Sequence, residues 1–257
     1  MTRLTFLGTG DSLNPERAQT SLAVPLSGGE TMLIDASSGT VLLGRLEAAG
    51  IPLASVRHVF VSNRHFDHVG GIAPLLTAFA ALPEASLTVH AASETLRALR
   101  GHLALTIPGA EDWLGKRLCW HELVPGKSTE VGETEITPFL IDHGLECASF
   151  RVARADSVAV LAVDTHPSPE IVENASGADL LVHDTYGLQS AAEKAHAMGH
   201  STATEAGEAD RAAGVRHLVL THIRSNHLVA PDALVAEAES AFGGPVDAAN
   251  DLDVCHF

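Results

Sequence analysis

Residues 60–71 read FVSNRHFDHVGG, and the rest of the chain can be placed around this segment. The apolar run 56–61 predicts a short buried strand, and the apolar residues after the two glycines predict a helix. Between them stand two histidines and an aspartate within four residues, His65, Asp67 and His68. Imidazole and carboxylate groups at the carboxyl end of a strand are typical metal ligands, and glycines allow the backbone to approach closely. The segment therefore predicts a metal site; the alternative is a polar surface loop rich in histidine.

The segment resembles the HxHxDH motif of the metallo-β-lactamase superfamily, in which a lone His, a lone Asp and a terminal His follow at later strand ends. The first histidine of the motif is replaced by asparagine here. The resemblance covers nearly the whole chain. It implies an α/β fold, the four-layer αββα sandwich of the metallo-β-lactamase type, with residues 1–257 forming a single domain. It also implies these metal-site positions: Asn63, His65, Asp67, His68, His143, Asp164 and His222.

The resemblance implies two neighbouring metal ions, with zinc as the expected ion and Mn²⁺ or Fe²⁺ as alternatives. One ion is expected at His65 and His143, with Asn63 in the third position; the other takes the remaining ligands, and Asp164 bridges them. Such ions lie ~3.5–4 Å apart, share a hydroxide and stabilise the attacking and leaving oxygens. Because an amide oxygen binds zinc more weakly than imidazole does, the Asn63 site is expected to be weakened, selective for a harder metal, or empty. With one ion, Asp67 or a nearby histidine would orient the water.

Two further segments resemble catalytic motifs of ribonuclease Z. Residues 183–185 (HDT) are similar to its His-Glu-Ala-Thr segment, and residues 199–202 (GHST) are similar to its His-Ser-Thr segment. The resemblance implies that His200 protonates the leaving group and that Asp184 orients His200. The alternative for His200 is a structural residue at a helix entry, next to the cap at Thr202.

The composition indicates a globular chain, because 46% of its 257 residues are hydrophobic. Thirty-two acidic residues against 16 basic ones give a net charge of −16, which repels phosphate backbones. Long nucleic acid is therefore an unexpected substrate, whereas a small anion fits. Three cysteines without paired spacing suit a reducing compartment. With neither a leader-like amino terminus nor a run of membrane-spanning length, we expect a soluble, cytoplasmic protein without membrane contact.

The remaining chain predicts strands that alternate with helices in two similar halves. Residues 104–130 resist assignment because Pro and Gly interrupt them, and their length predicts a lid, a pocket wall or a dimer contact. Asp35 is expected to cap a turn, and His90 and His102 to be structural or exposed. Strands are predicted at 4–8, 21–26, 31–35, 87–90, 135–141, 147–153, 158–163, 180–184 and 217–220. Helices are predicted at 39–50, 72–82, 93–102, 169–174, 191–198, 202–214 and 231–242.

Three functions are compatible with these patterns. The leading hypothesis is a metal-dependent hydrolase of the ribonuclease Z and small phosphodiesterase branch, which acts on a small phosphodiester or related ester through a metal-bound hydroxide. The second is a lactonase or other carboxylic ester hydrolase, in which Tyr186 lies beside the site. The third is a metal-binding or ligand-binding protein that lost activity through Asn63. A small-molecule substrate and a homodimer are further expectations.

Overall fold

Two mixed β-sheets of seven strands each dominate the computed structural model, which describes residues 1–224 and 229–257. The first sheet contains β1 (Arg3–Gly8), β2 (Ser21–Pro25), β3 (Thr31–Ile34), β4 (Val56–Val61), β5 (Leu87–Ala91), β6 (Leu118–Glu122) and β14 (Val254–His256). These strands lie side by side in the order β14-β1-β2-β3-β4-β5-β6.

The second sheet contains β7 (Thr129–Val131), β8 (Thr134–Asp142), β9 (Glu146–Arg154), β10 (Ser157–Ala162), β11 (Leu180–Asp184), β12 (Leu218–Thr221) and β13 (Val246–Ala248). Its order is β13-β12-β11-β10-β9-β8-β7. The helices are α1 (Val41–Ala48), α2 (Phe66–Val69), α3 (Ile72–Ala80), α4 (Ser93–Thr106), α5 (Ala110–Leu114), α6 (Pro169–Ala175), α7 (Ala192–Ala197), α8 (Ala203–Ala213) and α9 (Pro231–Phe242).

The alternation of side chains along each strand builds the layers. In β4, Phe60 points between the sheets and packs against Phe150 of β9, with ring centroids 5.9 Å apart. Its neighbours Val59 and Val61 point the other way, into a second apolar cluster formed with α1, α3 and α4. A third cluster joins the outer face of the second sheet to α6, α8 and α9. This arrangement confirms the predicted four-layer αββα sandwich.

Local sequence signals explain several helix ends. At α8, the Thr202 side chain accepts from the Glu205 backbone, and the Glu205 carboxylate accepts from the Thr202 backbone, which is a capping box. Gly214 ends this helix in the left-handed conformation that glycine adopts without strain. At α6, Ser168 caps the amino terminus and Pro169 occupies the first turn, where a missing N–H costs nothing.

The direction of the strands brings several chain segments to one edge of the sandwich. Strands β3 and β4 run parallel, and so do β10, β11 and β12. Strand β8 is antiparallel to β9, which is antiparallel to β10, so β8 and β10 also end at the same edge. The segments that follow these strands carry the residues of the predicted metal site.

Two expectations differ from the structure. Residues 104–130 do not form one long loop, because α4 extends to Thr106 and the segment then supplies α5 and the edge strand β6. Apolar residues such as Leu114 and Leu118 anchor this segment in the core, and the many Gly and Pro only separate its short elements. The metal loop also contains a short helix, α2, which was not predicted because four residues are too few to show a helical period. Among the described residues, every helix is too short or too polar to cross a membrane.

Candidate metal centre

The segment after β4 places three predicted ligands around a single helical turn. His65 stands just before α2 in an extended conformation, and Asp67 and His68 follow within the turn, both buried. The two glycines after the turn are sterically required. A Cβ on Gly70 would lie 2.5 Å from the Phe66 carbonyl oxygen, and one on Gly71 would lie 1.9 Å from the Ala36 carbonyl oxygen. The glycine pair therefore lets the turn pack onto the end of β3.

Asp35 fixes His68. Its carboxylate accepts hydrogen bonds from the backbone and the hydroxyl of Ser62, at 2.8 and 2.7 Å, and lies 2.7 Å from Nδ1 of His68. The Nδ1–H of His68 therefore donates to Asp35, and Nε2 is directed toward the site. The expectation that Asp35 caps a turn is wrong. A buried carboxylate at a strand end, beside a parallel strand that leads to a histidine, is the signal that could have revealed this contact.

His143 is fixed in the same way by a backbone carbonyl. Its Nδ1–H donates to the Gly199 carbonyl oxygen at 2.8 Å, and its Nε2 lies 3.0 Å from Oδ2 of Asp164. Gly199 has a φ of +83°, and a Cβ there would lie 2.7 Å from Nδ1 of His143. Only glycine therefore combines this backbone conformation with the approach of the imidazole.

Asn63 faces the cluster with its amide nitrogen. Its Oδ1 accepts the backbone N–H of His65 at 2.8 Å, which turns Nδ2 toward Oδ2 of Asp164, also at 2.8 Å. The side chain is fully buried. In this arrangement Asn63 holds the Asp164 carboxylate by donating a hydrogen bond to it, while its Oδ1 is occupied by the backbone N–H of His65.

The predicted ligands fall into overlapping groups that share Asp164 and His222. Within each group, one ligand atom per residue lies within 4.8 Å of all the others. The contacts between the groups are short, because Nε2 of His68 is 3.3 Å from Asp164 and Nε2 of His222 is 3.4 Å from Asp67. The groups are His65, His143 and Asp164; Asp67, His68 and His222; and Asp164, Asp184, His200 and His222.

The packing of acids against imidazoles shifts their pKa values. Burial alone would lower the pKa of His68, but Asp67 and Asp35 outweigh burial and raise it to about 10. Burial likewise opposes the charge of His222, and Asp164 and Asp184 raise its pKa well above the usual value. The pKa of Asp164 is held well below its usual range, because the surrounding histidines outweigh the burial that would raise it. Without a metal, these residues therefore form ion pairs whose protons a cation can replace.

The cluster fits a divalent metal ion. Nε2 of His68 and Oδ1 of Asp164 are both buried and make no well-directed hydrogen bond within the part of the chain that the structure describes, although Nε2 of His68 lies 3.3 Å from Oδ2 of Asp164 and Oδ1 of Asp164 lies 3.2 Å from Nδ1 of His200. Such buried polar atoms are uncommon and call for a ligand. Imidazole nitrogens together with carboxylate oxygens are the donor set that zinc, manganese and iron share.

Asp184 orients two histidines at once. Its Oδ2 lies 3.2 Å from Nδ1 of His200, and its Oδ1 lies 3.2 Å from Nδ1 of His222. It also accepts backbone hydrogen bonds from Ser201 at 3.1 Å and Thr165 at 3.4 Å. Burial would raise the pKa of Asp184, but His200 and His222 lower it to about 2. The resemblance to ribonuclease Z predicted the contact of Asp184 with His200 but not its contact with His222.

His200 lies between two carboxylates. Its Nδ1 is 3.2 Å from Oδ1 of Asp164 as well as from Asp184, and these acids outweigh burial and raise its pKa to about 9. Its ring stacks on Tyr186, with centroids 5.5 Å apart and planes 19° from parallel. The arrangement can store a proton on His200 at the edge of the cluster.

Comparisons with known proteins find similarities in sequence and in fold. A family model described as the β-lactamase superfamily domain matches residues 30–223. The ribonuclease Z of Haloferax volcanii is 27% identical over an alignment 301 positions long, which covers 97% of this chain and 93% of that protein.

Solved structures share the architecture. The metallo-β-lactamase fold protein YhfI from Bacillus subtilis superposes with a TM-score of 0.85 at 22% identity, over 99% of this chain and 98% of that one. A diphosphatase of the PhnP family superposes with a TM-score of 0.78 at 19% identity, over 100% and 97% of the two chains. At these identities the two structures establish the likeness of the fold.

Proposed function

This chain belongs to the β-lactamase superfamily, and we propose that it is a metal-dependent hydrolase acting on a small phosphodiester or a related ester. The observation that supports the proposal most is the meeting of Asp67, His68 and His222 around Asp164, at the edge where the strands end. Zinc is the proposed ion, with Mn²⁺ or Fe²⁺ as alternatives, because the donors are imidazoles and carboxylates.

We assign two positions to the metal. Asp67, His68 and His222 would hold one ion, His65 and His143 would hold a second, and Asp164 contacts both groups. A bound divalent ion supplies Lewis acidity and lowers the pKa of a coordinated water to roughly 7. Asn63 enters the proposal as a residue that positions Asp164, since its amide nitrogen faces that carboxylate. With Asp164 counted at both positions, the second has two imidazoles and one carboxylate, whereas the first has two imidazoles and two carboxylates and is the stronger donor set.

His200 and Asp184 are proposed to manage the proton of the leaving group. Two carboxylates engage Nδ1 of His200, so the proton for a leaving oxygen is expected on Nε2. Backbone hydrogen bonds from Ser201 and Thr165 hold the Asp184 carboxylate, which in turn holds the His200 ring, and a histidine is suited to general acid catalysis at neutral pH. Asp67 is proposed to orient the attacking water, because its buried carboxylate lies beside His222 and His68.

Net charge supports a small substrate. The charge of −16 opposes the long phosphate backbone of RNA, and several arginines are already paired with acids, such as Arg154 with Glu133 and Arg216 with Asp179. The similarity to ribonuclease Z makes RNA the alternative substrate. A carboxylic ester is a further alternative, favoured by the buried Tyr186 hydroxyl that stands beside His200. A metal-binding protein without turnover is the outcome if none of these reacts.

The test compares substrates on protein purified without chelators. We expect one or two equivalents of metal and hydrolysis of bis(p-nitrophenyl) phosphate in preference to p-nitrophenyl acetate, a lactone and a short RNA. Asp164→Asn should lower kcat/KM at least about 100-fold, the scale of losing one electrostatic stabiliser of a transition state. The matched control is Asp156→Asn in an exposed turn at the opposite end of the sandwich, which should change kcat/KM less than about twofold. Metal-free protein from metal-replete cells, or equal rates for Asp164→Asn and the native protein, would contradict the proposal.

The domain organisation, the cellular location and the oligomeric state are proposed from less specific features. We propose that residues 1–257 act as one domain, since apolar clusters link both sheets to their helices. All three cysteines are unpaired, which suits the reducing cytoplasm that we propose as its location. Light scattering measures the molar mass in solution and so tests the proposed homodimer.

A further inference from the structure

Tyr186 carries a polar group that the protein leaves unused. The residue is 6% exposed, and its hydroxyl is buried without a hydrogen-bond partner among residues 1–224 and 229–257. The ring of Tyr186 stacks on the imidazole of His200, the proposed proton donor. Buried hydroxyl groups normally have a partner, because leaving one unpaired destabilises the fold. The missing partner is therefore expected to be a molecule that enters the site.

Arg224 brings a positive charge to the same place. Its guanidinium carbon lies 4.7 Å from the centroid of the Tyr186 ring, and the residue follows the metal-site residue His222 by two positions. The contact with the ring fixes the face of the guanidinium and leaves its N–H edge available. Within the described part of the chain, Arg224 makes no ion pair with an acidic side chain, whereas Arg45, Arg100 and Arg216 each do.

An unpaired arginine is unusual beside a cluster with so many carboxylates. Asp67, Asp164 and Asp184 all pair with histidines, and Arg224 contacts an aromatic ring instead. A planar guanidinium binds two oxygens of a phosphoryl group at once, and charge-assisted bonds of this kind are about twice as strong as neutral ones. A neutral substrate would gain nothing from this charge.

We propose that Arg224 and Tyr186 form an anion subsite that binds the non-bridging oxygens of the substrate's phosphoryl group, on the His200 side of the centre. The inference rests on the proposed function and narrows it, because it selects anionic phosphodiesters over neutral esters of the same size. Arg224 supplies the charge and the Tyr186 hydroxyl supplies one directed hydrogen bond. Held there, the ester presents its leaving oxygen next to the His200 ring.

The first test uses two substrates that share a leaving group and differ in charge. Bis(p-nitrophenyl) phosphate is a monoanion, and its methyl triester is neutral. Arg224→Gln should raise KM for the diester about 10–100-fold, the scale of one lost charge-assisted interaction, and leave kcat/KM for the triester within about twofold. Tyr186→Phe keeps the ring under Arg224 and should weaken the binding of the diester about 3–10-fold. The matched control, Arg216→Gln, removes an arginine that is 81% exposed and paired with Asp179.

The second test does not need turnover. Inorganic phosphate is titrated calorimetrically into chelator-treated protein, where no metal can bind it. Native protein and Arg216→Gln should bind phosphate with equal affinity, and Arg224→Gln should bind it at least about tenfold more weakly. An equal loss of kcat/KM for the diester and the triester in Arg224→Gln would overturn the inference. An unchanged affinity of this variant for phosphate would overturn it as well. If native protein hydrolyses neither substrate, the proposed function fails and the phosphate titration alone decides the subsite.

Discussion

Asn63 donates its amide hydrogen to Asp164 and receives the backbone hydrogen of His65, so it acts on the centre through a neighbour. An amide in this orientation holds a carboxylate still without adding a metal ligand. In the proposed assignment, the substitution of the motif's first histidine removes a ligand from the metal position at His65 and His143 and removes none from the other position. The group of Asp67, His68 and His222 does not involve residue 63.

Restoring the imidazole should strengthen the weaker position. In Asn63→His, a third histidine would join His65 and His143, and the metal content should rise toward two equivalents per chain because imidazole is the better zinc ligand. Elemental analysis after dialysis against a competing chelator measures the change. Asn63→Leu, which fills the space without a donor, serves as the control and should not raise the content. An unchanged content in Asn63→His would mean that the position was already filled in the native protein.

At the residue level, the sequence indicates which side chains could be ligands but not what holds them. Short-range spacing identifies His65, Asp67 and His68, because they lie within one segment. The contacts of His68 with Asp35 and of His143 with Gly199 join parts of the chain that are far apart. No local pattern encodes such contacts, so they appear only once the sheets have formed.

The turn between α7 and α8 has a conformation that holds His143 in position. Gly199 lies in this turn with a φ of +83°, and its carbonyl oxygen holds His143. The turn therefore sets the orientation of His143, a proposed ligand that comes from the end of β8.

A methyl group in this turn should disturb the metal centre. Gly199→Ala places its Cβ 2.7 Å from Nδ1 of His143, so that ring must move and zinc affinity should fall about 10–100-fold, as for other residues that orient a ligand. Gly177→Ala is the matched control, since its φ is +68° and no atom lies within 4 Å of the added Cβ. Both variants bear similar backbone strain, and chelator competition compares their zinc affinities. Equal affinities would show that Gly199 does not position His143.

Elements with strong apolar periodicity could be predicted, and irregular ones could not. The run 56–61 predicted β4 with the observed ends, and the Thr202 capping box predicted the start of α8. The four residues of α2 are too few to show a periodic pattern, so this helix could not be predicted. Strand β6 was not predicted, because its polar and apolar residues do not alternate regularly and because an edge strand needs less apolar surface than a central one.

The family and the sandwich, as properties of the whole molecule, were predicted from the resemblance of the sequence motifs to a known superfamily, and both are confirmed by the domain match and the fold. A whole-molecule property that the sequence does not reveal is the dependence of stability on pH. Asp210, on α8, is buried, and neither carboxylate oxygen has a partner in the two described segments. Burial raises the pKa of this carboxyl to about 7 from an ordinary 3.8.

The raised pKa of Asp210 predicts a loss of stability toward alkaline pH. Between pH 4 and 7 the folded state keeps a proton that the unfolded state has released, so the free energy of unfolding falls as pH rises and levels off above pH 7. Asp210→Asn cannot ionise, and its stability relative to the native protein should increase by roughly 2–4 kcal/mol from pH 4 to pH 8. Urea unfolding at both pH values measures this, with the exposed Glu208→Gln on the same helix as control. A constant difference between Asp210→Asn and the native protein would contradict the expectation.

The central claim is that distant strand ends of one molecule meet to bind a catalytic metal. Anomalous diffraction at the zinc absorption edge, from crystals grown with Zn²⁺, tests it most directly. The structure predicts a strong peak in contact with Asp67, His68, Asp164 and His222, and a weaker second peak or none beside His65 and His143. The absence of any anomalous peak among these side chains, in crystals whose Zn²⁺ binds elsewhere, would contradict the account.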